Sequence, residues 1–160
     1  MIHDRPPRLR DFDYRGFHRR HLRTSTWNRR PLLPDSSVAC LVRSHLFHFA
    51  VQSRVAVRAY RFMPDHVHLL AQGASCEASV CDFVSRWKQQ TGYLLPARRG
   101  VRLWQPGYFD RVLREDESDV MVARYIIENP MRAGLSRRYG EYPFAWCVWG
   151  SELLYGDARG

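Results

Sequence analysis

Two short stretches of this chain carry residue types that can do chemistry together. The first is His66-Val67-His68. On a β-strand, residues two apart share a face, so these imidazoles point the same way, roughly 7 Å apart at Cα. Two imidazoles in that arrangement can chelate one divalent metal. Val67, Leu69 and Ala71 then face the opposite side, toward the helices. Seven histidines in 160 residues produce such pairs by chance, so the spacing alone leaves a structural pair open. Histidines on an otherwise apolar strand nevertheless need polar partners, because burying them unpartnered is costly. The second stretch is DVMVARYIIENP, where Tyr125 and Asn129 lie four residues apart and share one helix face. Asn129 offers an amide oxygen as a third ligand. Tyr125, one turn earlier, places a phenol beside the same metal. A tyrosine nucleophile can attack phosphorus and retain one end of a broken strand covalently. A metal would polarise the phosphate and offset charge in the transition state. On its own, Tyr125 is also compatible with ordinary core packing, as one of eight tyrosines.

Positioning these groups requires a strand and a later helix. His18 to Trp27 favours a strand, with Thr24, Thr26 and Trp27 as β-formers, and Pro31 and Pro34 break it. Asp35-Ser36-Ser37 starts a helix, and Val38, Leu41, Val42, Leu46, Phe49 and Ala50 recur at helical spacing to about Gln52. Val55 to Phe62 reads as a second strand, and Pro64-Asp65 as a turn. His66 to Gln72 is a third strand, antiparallel to the second because the connection is so short. A long helix is expected from Cys76 to Leu95, ended by Arg98-Arg99-Gly100. Val101 to Arg114 is mainly extended, interrupted at Pro106-Gly107. Asp116 to Asp119 opens a last helix, where acidic side chains suit the positive dipole end. It is expected to stop near Glu128, because Pro130 disfavours helical geometry at Asn129. The order β-α-β-β-α-β plus a helix predicts an α+β fold. Its core is ferredoxin-like, a four-stranded antiparallel sheet with helices on one face, and the C-terminal helix carries Tyr125.

Composition narrows the partners. One domain's worth of chain with 45% apolar residues can bury a core. No apolar run approaches the ~20 residues of a membrane span. The charged N-terminus has no apolar signal-peptide region, so the expected location is the cytoplasm, in association with the nucleoid. Cys40, Cys76, Cys81 and Cys147 have no CxxC spacing and are expected to be reduced thiols, mostly buried. Net charge is +9, and Lys88 is the one lysine among 25 Lys and Arg. Arginine's planar fork suits phosphate oxygens, and a basic, aromatic-rich chain points to nucleic acid. Candidate DNA contacts are Arg19, Arg20 and Arg23 on the first strand, Arg86 and Lys88 on the long helix, and Trp104 and Tyr108 as stacking platforms. Core packing of Trp104 and solvation of single arginines are the competing readings.

FMPDHVHLL, LWQPGYFDRVLR and RYIIENPMRAGL, in that order and spacing, resemble the REP-associated tyrosine transposases of the HUH single-tyrosine family. The resemblance covers about residues 17 to 150, with a weaker match at Trp146. It implies His66 and His68 as metal ligands, Tyr125 as nucleophile and Asn129 as third ligand. It also implies Mg²⁺ or Mn²⁺, no nucleotide cofactor, a 5′-phosphotyrosine intermediate, and single-stranded DNA hairpins as substrate. The expected organisation is a basic arm over residues 1–16, a catalytic domain over 17–135 and a packed tail over 136–160, with the chain a monomer or homodimer. A hairpin-binding regulator derived from a transposase, or another HUH nickase such as a replication initiator or relaxase, is the alternative.

Overall fold

The computed structural model describes residues 11–138 and 141–150. Most of the expected arm and the last ten residues of the expected tail lie outside the described residues. Five strands and three α-helices follow the chain as β1 (Arg19–Ser25), α1 (Ser36–Gln52), β2 (Val55–Phe62), β3 (His66–Gly73), α2 (Val80–Arg99), β4 (Phe109–Val112), α3 (Asp119–Arg132) and β5 (Ala145–Cys147). Each helix starts on a side-chain cap. Asp35 accepts from the Ser37 and Val38 amides, Ser79 from Asp82, and Ser118 from Met121. Gly100, at φ 65°, closes α2 in the left-handed conformation that glycine adopts without penalty. Ser79 therefore sets the start of α2 at Val80, four residues later than the sequence suggests. The first strand stops at Ser25, and Trp27–Arg29 forms a 3-10 turn.

All strand pairs are antiparallel, in the order β4-β1-β3-β2-β5. The first four give the ferredoxin-like order. The fifth corrects the four-stranded expectation: Ala145–Cys147, placed in the tail by sequence, pairs with β2 through Ala59, Tyr60 and Arg61. Three residues with no alternation of their own give a sequence reading little to hold.

The sheet has helices on both faces rather than one. Leu22, Tyr60, Phe62, Val67, Leu69 and Ala71 pack against Val42, Leu46, Phe83 and Trp87 of α1 and α2. The Trp87 indole N–H donates to the Val42 carbonyl at 2.9 Å and ties those helices together. On the other face, Ala59 and Leu70 meet Val122, Ala123, Ile126 and Ile127 of α3. Each buried aliphatic chain there stabilises by roughly 1.5–3 kcal/mol relative to exposure. Pro130 is itself buried, and α3 runs through it to Arg132 instead of stopping near Glu128. Side-chain donors support the carbonyls around the break. Asn129 donates to the Tyr125 carbonyl at 2.9 Å, and buried Arg61 donates to that of Ile127 at 3.1 and 3.3 Å.

Candidate active site

Alternation along β3 sends Val67, Leu69 and Ala71 into the α1/α2 core and turns His66 and His68 to the face that α3 covers. Pairing of β1 beside β3 adds His21 from the neighbouring strand. The three imidazoles form a chain: His21 Nε2 is 3.2 Å from His68 Nδ1, and His68 Nε2 is 3.1 Å from His66 Nε2. His66 Nδ1 lies 2.6 Å from Asp65 Oδ1, and Arg29 Nε is 2.8 Å from the other oxygen of that carboxylate. α3 lays Tyr125 over this floor. Its ring centroid is 6.2 Å from His68 and 6.0 Å from His21, both edge-on. A cleft of about 330 Å³ separates floor from helix, lined by His21, Arg23, His68, Phe109, Arg111, Val122 and Tyr125. Tyr125 is 43% exposed, so an incoming group can reach its phenol. The Arg132 guanidinium lies 5.3 Å from the Tyr125 ring centroid on its way to Glu128.

Burial pushes His21 down to about 4, with Arg111 and Arg23 adding to the shift. Burial lowers His68 further still, reinforced by His66 and His21. His66 is lowered by burial even though the Asp65 carboxylate pulls the other way. The three rings are therefore neutral at physiological pH, the state in which an imidazole nitrogen can ligate a metal. Two nitrogens each ~2.1 Å from one ion at adjacent coordination positions lie about 3 Å apart, and the two Nε2 atoms have that spacing. Among the described residues, no group of three or more His, Cys, Asp or Glu is set to hold a metal ion. Asn129 is one turn beyond Tyr125. Its amide nitrogen is turned back to the Tyr125 carbonyl at 2.9 Å, and Asn129 is not among the residues lining the cleft.

The expected DNA-contact set divides. Arg23 is exposed at the lip of the cleft, 5.8 Å from the Phe109 ring. Arg20 points the opposite way and is fully buried against Asp110 of β4. Arg19 clamps the turn between β4 and α3, donating to the carbonyls of Arg114, Glu115 and Glu117 and pairing with Asp119 at 2.6 Å. Lys88 donates to the Gln105 and Gly107 carbonyls and holds the 105–107 loop. Trp104 is 5% exposed, and its indole N–H donates to Thr91 at 2.8 Å. Arg20, Lys88 and Trp104 thus hold the fold together: Arg20 pairs with part-buried Asp110, Lys88 with part-buried loop carbonyls, and Trp104 with buried Thr91. Arg86 is exposed on α2, 2.9 Å from Gln52 Oε1, on the sheet's other face from Tyr125. Tyr108 is half-buried on the wall of a separate groove of about 580 Å³ with Tyr93 and Arg102. The thiols also divide: Cys147 is buried, whereas Cys40 and Cys76 are exposed.

Sequence reasoning missed His21, Phe109 and Arg111. A signal existed for the first, since His21 alternates with Arg19 and Arg23, but its face depends on which strand lies alongside.

The antiparallel sheet thus carries a histidine pair on a central strand, faced by a helical tyrosine across an open cleft that Arg23 and Arg111 also line. The chain belongs to the IS200-like transposase family, whose model matches residues 18–129. Among solved structures, a REP-associated tyrosine transposase bound to a REP hairpin shares the fold. It has a TM-score of 0.70 and 17% identity over 87% of this chain and 81% of that one. A candidate transposase from Deinococcus radiodurans R1 is 27% identical, with a TM-score of 0.52 over 77% of this chain and 96% of its own. Among curated proteins no sequence matches the chain. No helix among the described residues is long and apolar enough to cross a membrane.

Proposed function

We propose that the protein cleaves and rejoins single-stranded DNA at hairpins through Tyr125. The observation that carries this reading is the Tyr125 ring over the histidine pair in an open cleft. In the proposed reaction the phenolic oxygen attacks a backbone phosphorus and gives up its proton. The bond from phosphorus to the 3′ oxygen breaks, and that oxygen takes up a proton to leave as a free 3′-OH. The downstream strand stays on Tyr125 as a 5′-phosphotyrosine, which preserves the bond energy for rejoining. His66 and His68, with the Asn129 amide oxygen, would hold Mg²⁺ or Mn²⁺, which supplies Lewis-acid stabilisation of the phosphate when bound. Arg23 and Arg111 at the lip would hold the backbone on either side of the scissile phosphate. The hairpin preference rests on the family and on the structural neighbour seen with a REP hairpin.

The test is a labelled hairpin with a single-stranded flank, incubated with Mg²⁺ or Mn²⁺ and resolved under denaturing conditions. Wild type should yield an adduct carrying the downstream fragment, and mass spectrometry should place it on the peptide from Ala123 to Glu128. Tyr125→Phe should bind the hairpin and form no adduct. An adduct on Tyr93 or Tyr108, or cleavage by the Phe variant at wild-type rate, would overturn the assignment. Binding without any adduct by wild type would favour the regulator.

A further inference from the structure

We propose that Asp65 and His21 are positioning residues for one metal ion: Asp65 holds the His66 proton on Nδ1, and His21 accepts the His68 proton at Nδ1 when the ion is bound, so that both Nε2 atoms are presented to it. The proposal rests on the metal reading above and extends it to two residues with no role in the reaction as written. A neutral imidazole has one N–H and one lone pair, and ligation uses the lone pair. The tautomer is therefore decided by what faces the other nitrogen.

For His66 that neighbour is the Asp65 carboxylate, 2.6 Å from Nδ1. An ionised carboxylate only accepts, so the proton sits on Nδ1 and Nε2 keeps its lone pair. The carboxylate is itself held. Arg29 Nε lies 2.8 Å from Oδ2, and Arg29 Nη1 donates to Ser25 Oγ at 2.9 Å. Arg29 is at φ 55° and its neighbour Asn28 at φ 52°. Both sit in the left-handed region, which asparagine tolerates and arginine rarely adopts.

For His68 the neighbour is His21, whose Nε2 is 3.2 Å from Nδ1, with the two rings stacked at 5.4 Å between centroids. His68 is 3% exposed and His21 8%, so the pair is largely shielded from water. With His21 as its Nδ1–H tautomer, His21 Nε2 accepts from His68 Nδ1–H and leaves His68 Nε2 as a lone pair. That lone pair then faces the lone pair of His66 Nε2 across 3.1 Å. Two facing lone pairs repel, and a cation between them removes the repulsion. Without a cation, the same three rings relieve it by moving the His68 proton to Nε2, where it is donated to His66 while His21 donates to Nδ1. His21 is the ring that allows both arrangements, and Asp65 holds His66 unchanged in each.

The experiment uses two readouts on the full chain. Nitrogen-15 NMR of the imidazoles reports the tautomers, first without metal and then with saturating Mg²⁺. Electron paramagnetic resonance titration with Mn²⁺ reports affinity. His66 should be the Nδ1–H tautomer in both states, and His68 should change from Nε2–H to Nδ1–H on adding Mg²⁺. Asp65→Ala and His21→Phe should each weaken Mn²⁺ binding by about 10–100-fold. Asp65→Glu and His21→Gln, which restore an acceptor, should recover part of it, while circular dichroism shows all four folded. An Nε2–H tautomer for His66 in wild type would overturn the proposal, as would unchanged Mn²⁺ affinity in folded His21→Phe and Asp65→Ala. His68→Ala separates the two levels. If Mn²⁺ binding survives it, the metal reading itself fails; if binding is lost there but kept in the positioning variants, only the positioning roles fail.

Discussion

Arg20 offers a sharp test, because its sequence context suggests a DNA contact and its structure assigns it to the fold. The guanidinium is fully buried. Its Nε donates to Asp110 Oδ1 at 2.9 Å, a second nitrogen bonds Oδ2, and Nη1 lies 3.2 Å from the Cys81 thiol. Asp110→Ala would leave this cation in the core without its anion. Breaking a buried pair from one side costs about 3–5 kcal/mol. The Asp110 side chain is 12% exposed, so water can enter at the carboxylate end and the lower figure applies, about 3 kcal/mol. For a domain of this size each kcal/mol moves Tm by roughly 2–4 °C, so a fall of roughly 6–12 °C is expected. Thermal and urea unfolding followed by circular dichroism measure it. The double variant Arg20→Met with Asp110→Leu removes both charges and should recover most of the loss. Hairpin affinity of either variant, measured where it is fully folded, should match wild type within about twofold. Stability of Asp110→Ala within about 0.5 kcal/mol of wild type would refute the reasoning. So would a tenfold loss of hairpin affinity in folded Arg20→Met.

His66→Ala or His68→Ala should abolish Mg²⁺- or Mn²⁺-dependent nicking while leaving the circular dichroism spectrum unchanged; full activity of either variant without added metal would remove the metal assignment. Affinity for a hairpin with a single-stranded flank should exceed that for linear duplex of the same sequence and fall steeply from low to moderate salt. Arg23→Ala should weaken it and reduce the slope of log affinity against log salt by about one, whereas Arg86→Ala, on the far face, should change neither. Fluorescence anisotropy across a salt series measures both, and an equal effect of the two variants would contradict the assigned binding face. Trp104→Ala should cost about 3–5 kcal/mol in urea unfolding, as truncation of a buried ring does, and a stable variant with impaired stacking on DNA would return Trp104 to the binding surface.

The sequence by itself determined what is local. The alternation around His66-Val67-His68 put both imidazoles on one strand face, and Asp35 capped a helix of the expected length. The four-residue step from Tyr125 to Asn129 put both on α3. The order β-α-β-β-α-β carried the ferredoxin-like sheet. Tertiary structure decided everything that depends on a neighbour distant along the chain. His21 is 47 residues from His68, and becomes its partner only because β1 pairs beside β3. Arg20 and Arg23 look alike in the sequence, yet positions three apart on a strand face opposite ways, and only the partner strand with Asp110, 90 residues away, shows which one is buried. Local preference also gave way where packing was stronger. Pro130 marks a helix end by its own geometry, but in the fold it is buried, buried Arg61 supports the Ile127 carbonyl, and the helix carries on to Arg132.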